Sequence, residues 1–187
     1  MEARLREIIR NNEDLMEILQ TARSADLPNW YVGAGVIRNA VWDCLHGYEV
    51  ATAIRDVDVA FFDLHDMSGE REERAAQFLR NQAPTYVWEP INQARVHLWY
   101  QQEFGVAVCP LLSSEDAIDT WPETATCVGV RLLEDDTLII YAPYGLADLF
   151  NMVLRRNPKR VSLEQFRRRA WDKRIAEKWP QVTIIDE

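Results

Sequence analysis

Two aspartates separated by one residue are the side chains of this sequence with the clearest chemical potential. Asp56 and Asp58 lie in the segment DVDVAFF, residues 56–62, whose alternating polar and apolar side chains predict a β-strand with both carboxylates on one face. Paired carboxylates bind one or two divalent cations, which bridge nucleotide phosphates, and phosphoryl transfer depends mainly on such charge neutralisation and on positioning. An isolated pair also fits an exposed edge strand whose charges oppose aggregation.

A glycine turn precedes this strand in the sequence. Gly33, Ala34 and Gly35 follow a short predicted strand at 30–32 and open a predicted helix. Small residues at the start of a helix let backbone N–H groups approach a phosphate, and the helix N-terminus favours its negative charge. Arg38, in the first helical turn, is placed to contact a phosphate or to tie the turn to the aspartate strand. The alternative is a tight turn that needs glycine for backbone reasons alone.

The order of strand, glycine turn, helix and D-x-D strand resembles the catalytic head of the DNA polymerase beta-like nucleotidyltransferase superfamily. The segment YVGAGVIRNAVW is similar to the start of tRNA CCA-adding enzyme heads, with Gly35 and Arg38 at the family's glycine and arginine positions and Asn39 in place of its aspartate. The resemblance implies that Asp56 and Asp58 bind the catalytic Mg²⁺ or Mn²⁺. The positions expected to contact the nucleotide are Gly33, Gly35, Arg38 and Asn39.

Over most of residues 30–160 the sequence is similar to a bacterial nucleotidyltransferase-like family whose substrate is not established. The matching stretches are GAGVIRNAVWDCLHG, DVDVAFFD, NQARVHLWY, WPETAT and APYGLADLF. The resemblance implies metal-dependent transfer of a nucleotidyl group from an NTP to an unknown acceptor, which is a small molecule, a protein or an RNA end. A helical body for holding tRNA is not expected in 187 residues, which argues against CCA addition itself.

The third carboxylate of such a site has no clear motif in this sequence. Glu89 is the candidate, because it lies on the next predicted strand, residues 85–89, where a glutamate would face the aspartate pair. The alternative is a surface strand position beside Pro90.

The segment NQARVHLW is rich in side chains that recognise bases, sugars and phosphates. A strand is predicted at 94–100, and the alternation places Gln93, Arg95, His97 and Trp99 on one face, with Asn92 on the other. Arg95 is predicted to contact phosphates, His97 to position or deprotonate an acceptor hydroxyl, and Asn92 and Gln93 to contact the acceptor or base. The alternative is a polar sheet face with a satisfied histidine.

The whole pattern predicts a single α+β domain, in which a mixed β-sheet carries flanking helices. We expect an N-terminal helical lead at 1–27, a catalytic core at 28–154 and a basic C-terminal helix and tail at 155–187. Further strands are predicted at 106–109, 126–133 and 137–141, and further helices at 145–154 and from a capping box at Ser162 and Gln165 to about Lys178. The basic helix is either a solvated face or a docking surface for an acceptor's phosphates.

Charge and composition narrow the function classes. The net charge is −9, although residues 155–178 hold ten Lys and Arg against three acidic residues, so long nucleic acid is not an expected partner. No run of 18 apolar residues exists, so no membrane span is predicted. The three cysteines are widely separated, which indicates reduced thiols in a cytoplasmic protein. The three histidines are scattered as well, and this argues against a zinc site. Base preference and oligomeric state stay open.

Two other interpretations fit the same residues. Ala34 in place of the family's first glycine and Asn39 in place of its aspartate also fit a catalytically degenerate nucleotide-binding module. The acidic body and basic C-terminal helix fit an interaction protein that pairs with a partner or with itself.

Overall fold

The computed structural model describes residues 1–186, which form nine α-helices and seven β-strands. The helices are α1 (Glu2–Arg10), α2 (Glu13–Ser24), α3 (Gly35–His46), α4 (Glu70–Gln82), α5 (Val96–Phe104), α6 (Ser114–Ile118), α7 (Ala147–Phe150), α8 (Leu163–Asp172) and α9 (Ile175–Lys178). The strands are β1 (Tyr31–Gly33), β2 (Val57–Phe61), β3 (Trp88–Asn92), β4 (Gly129–Leu132), β5 (Leu138–Tyr141), β6 (Val153–Arg155) and β7 (Thr183–Ile185). None of the helices in this part of the chain has the length and apolar character of a membrane span.

Five strands form one mixed sheet in the order β3-β2-β1-β4-β5. β2 and β3 are parallel and are connected through α4, while the other neighbours in the sheet are antiparallel. β6 and β7 form a separate parallel pair. The predicted fold class is confirmed, because helices flank a mixed sheet in an α+β domain.

The apolar residues of β2 fix the orientation of the aspartate strand. Val57, Val59 and Phe61 have 0 % exposed surface and belong to one apolar cluster with residues of α1, α2 and α3. Burial of each such side chain stabilises the fold by about 1.5–3 kcal/mol, so this face of the strand is firmly committed to the core. Asp58 alternates with these residues and therefore projects from the opposite face of the sheet.

The glycine turn between β1 and α3 is set by close packing at its first residue. A Cβ added to Gly33 would lie 2.5 Å from the carbonyl oxygen of Val128 and 2.6 Å from the ring of Trp121. Ala34 follows with a φ of 55° and is the N-cap of α3. Gly35, in contrast, has open space where a side chain would be, so its lack of a Cβ leaves the backbone accessible.

The strand predicted at 94–100 is wrong, because this segment is helical. The Asn92 side chain accepts a hydrogen bond from Ala94 N at 3.2 Å and caps a 3₁₀ turn at Gln93–Arg95. α5 continues this turn and ends at Gly105, whose φ is 75°. Short segments of mixed polarity fit both the strand and the helix period, and here local capping decides the outcome. The predicted alternation of Gln93, Arg95 and His97 on one sheet face is therefore also wrong.

Other boundaries are partly confirmed. Residues 106–109 are irregular, so the strand predicted there is wrong, and 145–154 contains a short helix followed by β6. The capping box at Ser162 and Gln165 is confirmed. The C-terminal helix is divided into α8 and α9 at Arg174, which has a φ of 53°.

Candidate active site

Three carboxylates lie together at the edge where β2 and β3 begin. Asp58 and Glu89 are directly opposite each other in the parallel register of the two strands, so their side chains share a face. Asp56 comes just before β2, and its negative charge acts on both Asp58 and Glu89. Within residues 1–186, none of the three accepts a hydrogen bond or forms an ion pair. Asp56 and Glu89 are exposed, and Asp58 is half-buried.

Burial and charge repulsion together raise the pKa of two of these carboxylates, Asp58 and Glu89. Burial raises the pKa of Asp58 to about 6, and the neighbouring Asp56 and Glu89 contribute to this rise, against the opposing effect of Lys173 and Arg169. Burial and Asp56 also raise the pKa of Glu89 above its usual range. An environment that raises carboxylate pKa values in this way favours a bound cation, since a cation would neutralise the repulsion.

The carboxylate oxygens of Asp56 and Asp58 fit Mg²⁺ or Mn²⁺ only if a bound substrate supplies further oxygens. The oxygens of Asp56 and Asp58 are hard donors with no competing protein partner in the described residues. In the range 1–186, however, no group of three or more His, Cys, Asp and Glu side chains is arranged to hold a metal by itself. Mg²⁺ in proteins is commonly held by one or two carboxylates together with substrate phosphates. The pair fits that pattern better than it fits a metal cage made of protein alone.

A small cationic recess of about 100 Å³, lined by Gly35 and Asp56, adjoins the aspartates on the side of the glycine turn. Its central cation is Arg38, which is only 3 % exposed and lies over the rings of Trp42 and Trp179, 5.1 and 5.5 Å from their centroids. The guanidinium donates through Nε and Nη2 to Asn39 Oδ1, at 3.2 and 2.8 Å.

The remaining nitrogen of Arg38, Nη1, is buried without a hydrogen-bond partner among residues 1–186. A buried charged donor left unpaired is costly, so this atom is expected to meet an acceptor that the chain itself does not provide. Phosphate oxygens are suitable acceptors for a guanidinium.

The C-terminal segment contributes two further cations, Lys173 and Lys178, to the lining of the same recess. The Lys173 side chain makes no hydrogen bond or ion pair in residues 1–186, and burial together with Arg169 and Arg38 lowers its pKa. Arg169 Nε is 3.2 Å from Oε1 of the buried Glu123. Lys173, Arg169 and Glu123 are not among the residues that the sequence predicted for the site. The spacing of Arg169 and Lys173, four positions apart on one side of a helix, was the available signal.

A second and larger cavity of about 550 Å³ adjoins the carboxylates on the side of β3. Asp58 and Glu89 line it, and Trp99, Tyr100 and Arg160 lie further along its wall. Asp56 lines the cationic recess, whereas Asp58 and Glu89 line this cavity, so the carboxylates stand where the two depressions approach each other.

Three of the polar residues predicted to bind ligand lie outside both cavities. Arg95 forms an ion pair with Glu72 and donates to the carbonyl oxygens of Met67 and Ser68, so its guanidinium is engaged in anchoring a loop. Asn92 is fully buried as a cap and also donates to the Asp63 carbonyl at 2.8 Å. His97 is half-buried on α5, and its Nδ1 has no partner in the described part of the chain. Their binding roles stay predictions without support from this geometry.

The other residues predicted to contact a ligand fall into three places. Gln93 lines the large cavity, while Gly35, Arg38 and Asn39 line the recess. Gly33 is buried against Trp121 and takes part in the site only through the turn.

Comparison with known proteins confirms the resemblance. A family model described as nucleotidyltransferase matches residues 20–184. A solved structure described as the NMR structure of a protein that reveals a CCA-adding enzyme head domain is 31% identical, with a TM-score of 0.80 over 97% of this chain and 96% of that chain. A tRNA-processing enzyme in its apo form I shares the fold at 21% identity and a TM-score of 0.52, over 93% of this chain and 44% of its own. No curated protein matches the sequence. The chain belongs to the nucleotidyltransferase family of enzymes and has the fold of a CCA-adding enzyme head domain.

Proposed function

We propose that the protein transfers a nucleotidyl group from an NTP to an acceptor, in a reaction that depends on Mg²⁺ or Mn²⁺ held at Asp56 and Asp58. The proposal rests on the position of the three carboxylates. Asp56, Asp58 and Glu89 have no ion-pair partner in residues 1–186, and they lie between the cationic recess and the larger cavity. Asp56 and Asp58 would hold the metal, which would neutralise phosphate charge and help to position the triphosphate.

The triphosphate is proposed to lie in the recess. Arg38 Nη1 and the Lys173 ammonium group would donate to phosphate oxygens, because neither has a hydrogen-bond partner in residues 1–186. The backbone at Gly35 would approach the phosphates at the N-terminus of α3. Asn39 would hold the Arg38 guanidinium in its orientation by accepting hydrogen bonds from Nε and Nη2.

Glu89 is proposed to act on the acceptor. Its carboxylate lies beside Asp58 and faces the larger cavity, and its raised pKa makes it a better base than an ordinary glutamate. It would accept the proton of the acceptor hydroxyl as that oxygen attacks the α-phosphorus and pyrophosphate leaves.

Calorimetric binding of the four NTPs with and without Mg²⁺ tests the metal and nucleotide sites. We expect at least one NTP to bind wild type only with the metal, and the Asp56→Ala/Asp58→Ala variant to lose this binding. Asp186→Ala is the control, because this partly exposed aspartate lies outside both cavities and pairs only with Arg167 in the described part of the chain. Metal-independent binding, or binding unchanged in the double variant, would contradict the proposal.

A nucleotide-binding module without catalysis is the second candidate. It is favoured by Asn39 in place of the family's aspartate and by the lack of a ready three-residue metal cluster in residues 1–186. Incubation of α-labelled NTPs with a panel of hydroxyl acceptors distinguishes the two. Metal-dependent binding without any labelled product would favour the module, and labelled product would exclude it. Cytoplasmic location remains a prediction.

A further inference from the structure

Three aromatic side chains of α5 line the larger cavity. Trp99, Tyr100 and Phe104 form a contiguous aromatic cluster on α5, with Tyr100 and Phe104 centroids 4.5 Å apart and Trp99 6.1 Å from Tyr100. All three line the cavity, whose volume of about 550 Å³ is within the range for small-molecule sites. Phe104 is 47 % exposed, although α5 is anchored in the fold by Val96. Such a wall suits the face of a planar heterocycle.

A cation without a carboxylate partner lies in the same wall. The Arg160 guanidinium is 5.3 Å from the centroid of Tyr100, and Arg160 makes no ion pair in residues 1–186. The other cations lining the cavity differ in this respect, since Arg168 pairs with Asp172 and Arg169 pairs with Glu123. Arg160 is therefore the cation that remains available to an anionic group of a ligand.

The position of the cavity relative to the recess assigns it to the acceptor, if the proposed function is correct. In phosphoryl transfer the attacking and leaving oxygens lie roughly in line on opposite sides of the phosphorus. With the triphosphate's leaving group in the recess beside Arg38, the attacking group must come from the side of Asp58 and Glu89. That side is the larger cavity.

We propose that the larger cavity is the acceptor site, and that the acceptor is a small molecule combining a planar ring, a hydroxyl and an anionic group, of which a nucleoside 5′-monophosphate is the simplest example. The ring stacks on the α5 aromatics and the anionic group meets Arg160. The acceptor hydroxyl oxygen bonds to the α-phosphorus, and the bond from that phosphorus to the bridging oxygen breaks. Pyrophosphate leaves with the electron pair, and the hydroxyl proton passes to Glu89.

The test is ternary-complex calorimetry on the full chain. The protein is first saturated with Mg²⁺ and with one α,β-methylene analogue at a time, of ATP, GTP, CTP or UTP. The α–β bridge of these analogues cannot be cleaved. The four nucleoside monophosphates, the four nucleosides and a short single-stranded RNA are then titrated separately. We expect at least one monophosphate to bind tenfold or more tightly than its nucleoside.

Two variants distinguish the contribution of the aromatic wall from that of Arg160. Trp99→Ala is expected to weaken monophosphate and nucleoside binding alike by about tenfold, while Arg160→Gln removes only the preference for the monophosphate. Arg167→Ala and Trp171→Ala are the matched controls, since both side chains are exposed on α8 and neither lines the cavity. Arg160→Gln at the cavity wall keeps the test valid if Trp99→Ala does not fold.

Several results would overturn the inference. One is weaker binding of the methylene analogue itself in the Trp99→Ala variant. The others are preferential binding of the RNA over every monophosphate, and the lack of binding of any monophosphate. Metal-dependent binding of the methylene analogue is recorded in the same titrations. If it is present, only the acceptor assignment fails; if it is missing, the proposed function fails with it.

Discussion

Asp58 carries its carboxylate at a position where burial and neighbouring charges favour the neutral form. Its pKa is raised to about 6 by burial and by Asp56 and Glu89, whereas an unfolded aspartate titrates near 4. The folded state therefore holds more protons between these values. The metal-free protein loses stability as pH rises from about 4 to 6, and the loss is fully present above pH 6.

We predict that Asp58→Asn stabilises the metal-free protein at pH 7.5 by up to about 2 kcal/mol, because the amide carries no charge. The gain should shrink toward zero near pH 4. Urea unfolding in EDTA at several pH values measures it, with Asp186→Asn as the control for charge removal at an exposed site. A loss of stability at pH 7.5 would contradict burial and carboxylate repulsion as the origin of the raised pKa.

The proposed role of Arg38 depends on the planar shape of its guanidinium as well as on its charge. A lysine would keep the charge but lose the planar contacts with Trp42 and Trp179 and the two hydrogen bonds to Asn39. We predict that Arg38→Lys weakens metal-dependent NTP binding about tenfold or more, measured by calorimetry. Arg74→Lys, on the exposed face of α4, should bind NTP as wild type does. Equal affinity in both variants would remove Arg38 from the phosphate site.

At the scale of elements, local patterns predicted β2, the glycine turn and the capping box of α8 because each depends on neighbouring residues. α5 was predicted as a strand, since the decisive contact, the Asn92 side chain capping Ala94, is not visible in the alternation of residue types. Asp56, Asp58 and Glu89 were predicted from the D-x-D spacing and from the strand that follows, and the parallel register of β2 and β3 places Glu89 opposite Asp58. The basic helix was predicted only as a solvated face or a docking surface for an acceptor's phosphates. The position of Arg169 and Lys173 beside the aspartates was not predicted, because only tertiary packing brings this helix to them.

Gly33 and Gly35 have different roles in the β1–α3 connection, and an alanine substitution at each position distinguishes these roles. Gly33→Ala would place a Cβ 2.5 Å from the Val128 carbonyl oxygen, so we predict a loss of about 1–3 kcal/mol in the free energy of unfolding. Gly35→Ala meets no atom within 4 Å and should leave stability within about 0.5 kcal/mol of wild type while weakening NTP binding. Denaturant unfolding and calorimetry on both variants check this. Equal destabilisation would mean that the turn is not held by packing at Gly33.

At the scale of the whole molecule, the C-terminal segment completes a site whose other parts come from the N-terminal half. Trp179 is fully buried, with its ring 5.4 Å from that of Trp42, and its Nε1 donates to Asp43 Oδ1 at 2.7 Å. The same ring supports Arg38 at 5.5 Å. Residues 136 positions apart are thus joined in one packing unit beneath the recess.

We predict that Trp179→Ala lowers the free energy of unfolding by about 3–5 kcal/mol, because it leaves a cavity under α3 and removes a donor from the buried Asp43. Metal-dependent NTP binding should weaken as well, since Arg38 loses one of its two aromatic supports. Trp171→Ala, at an 82 % exposed position in the same segment, should change neither property. Trp179→Phe keeps most of the packing and is the variant for calorimetry if the alanine variant is unfolded. Wild-type stability in Trp179→Ala would show that the C-terminal segment covers the site without holding it together.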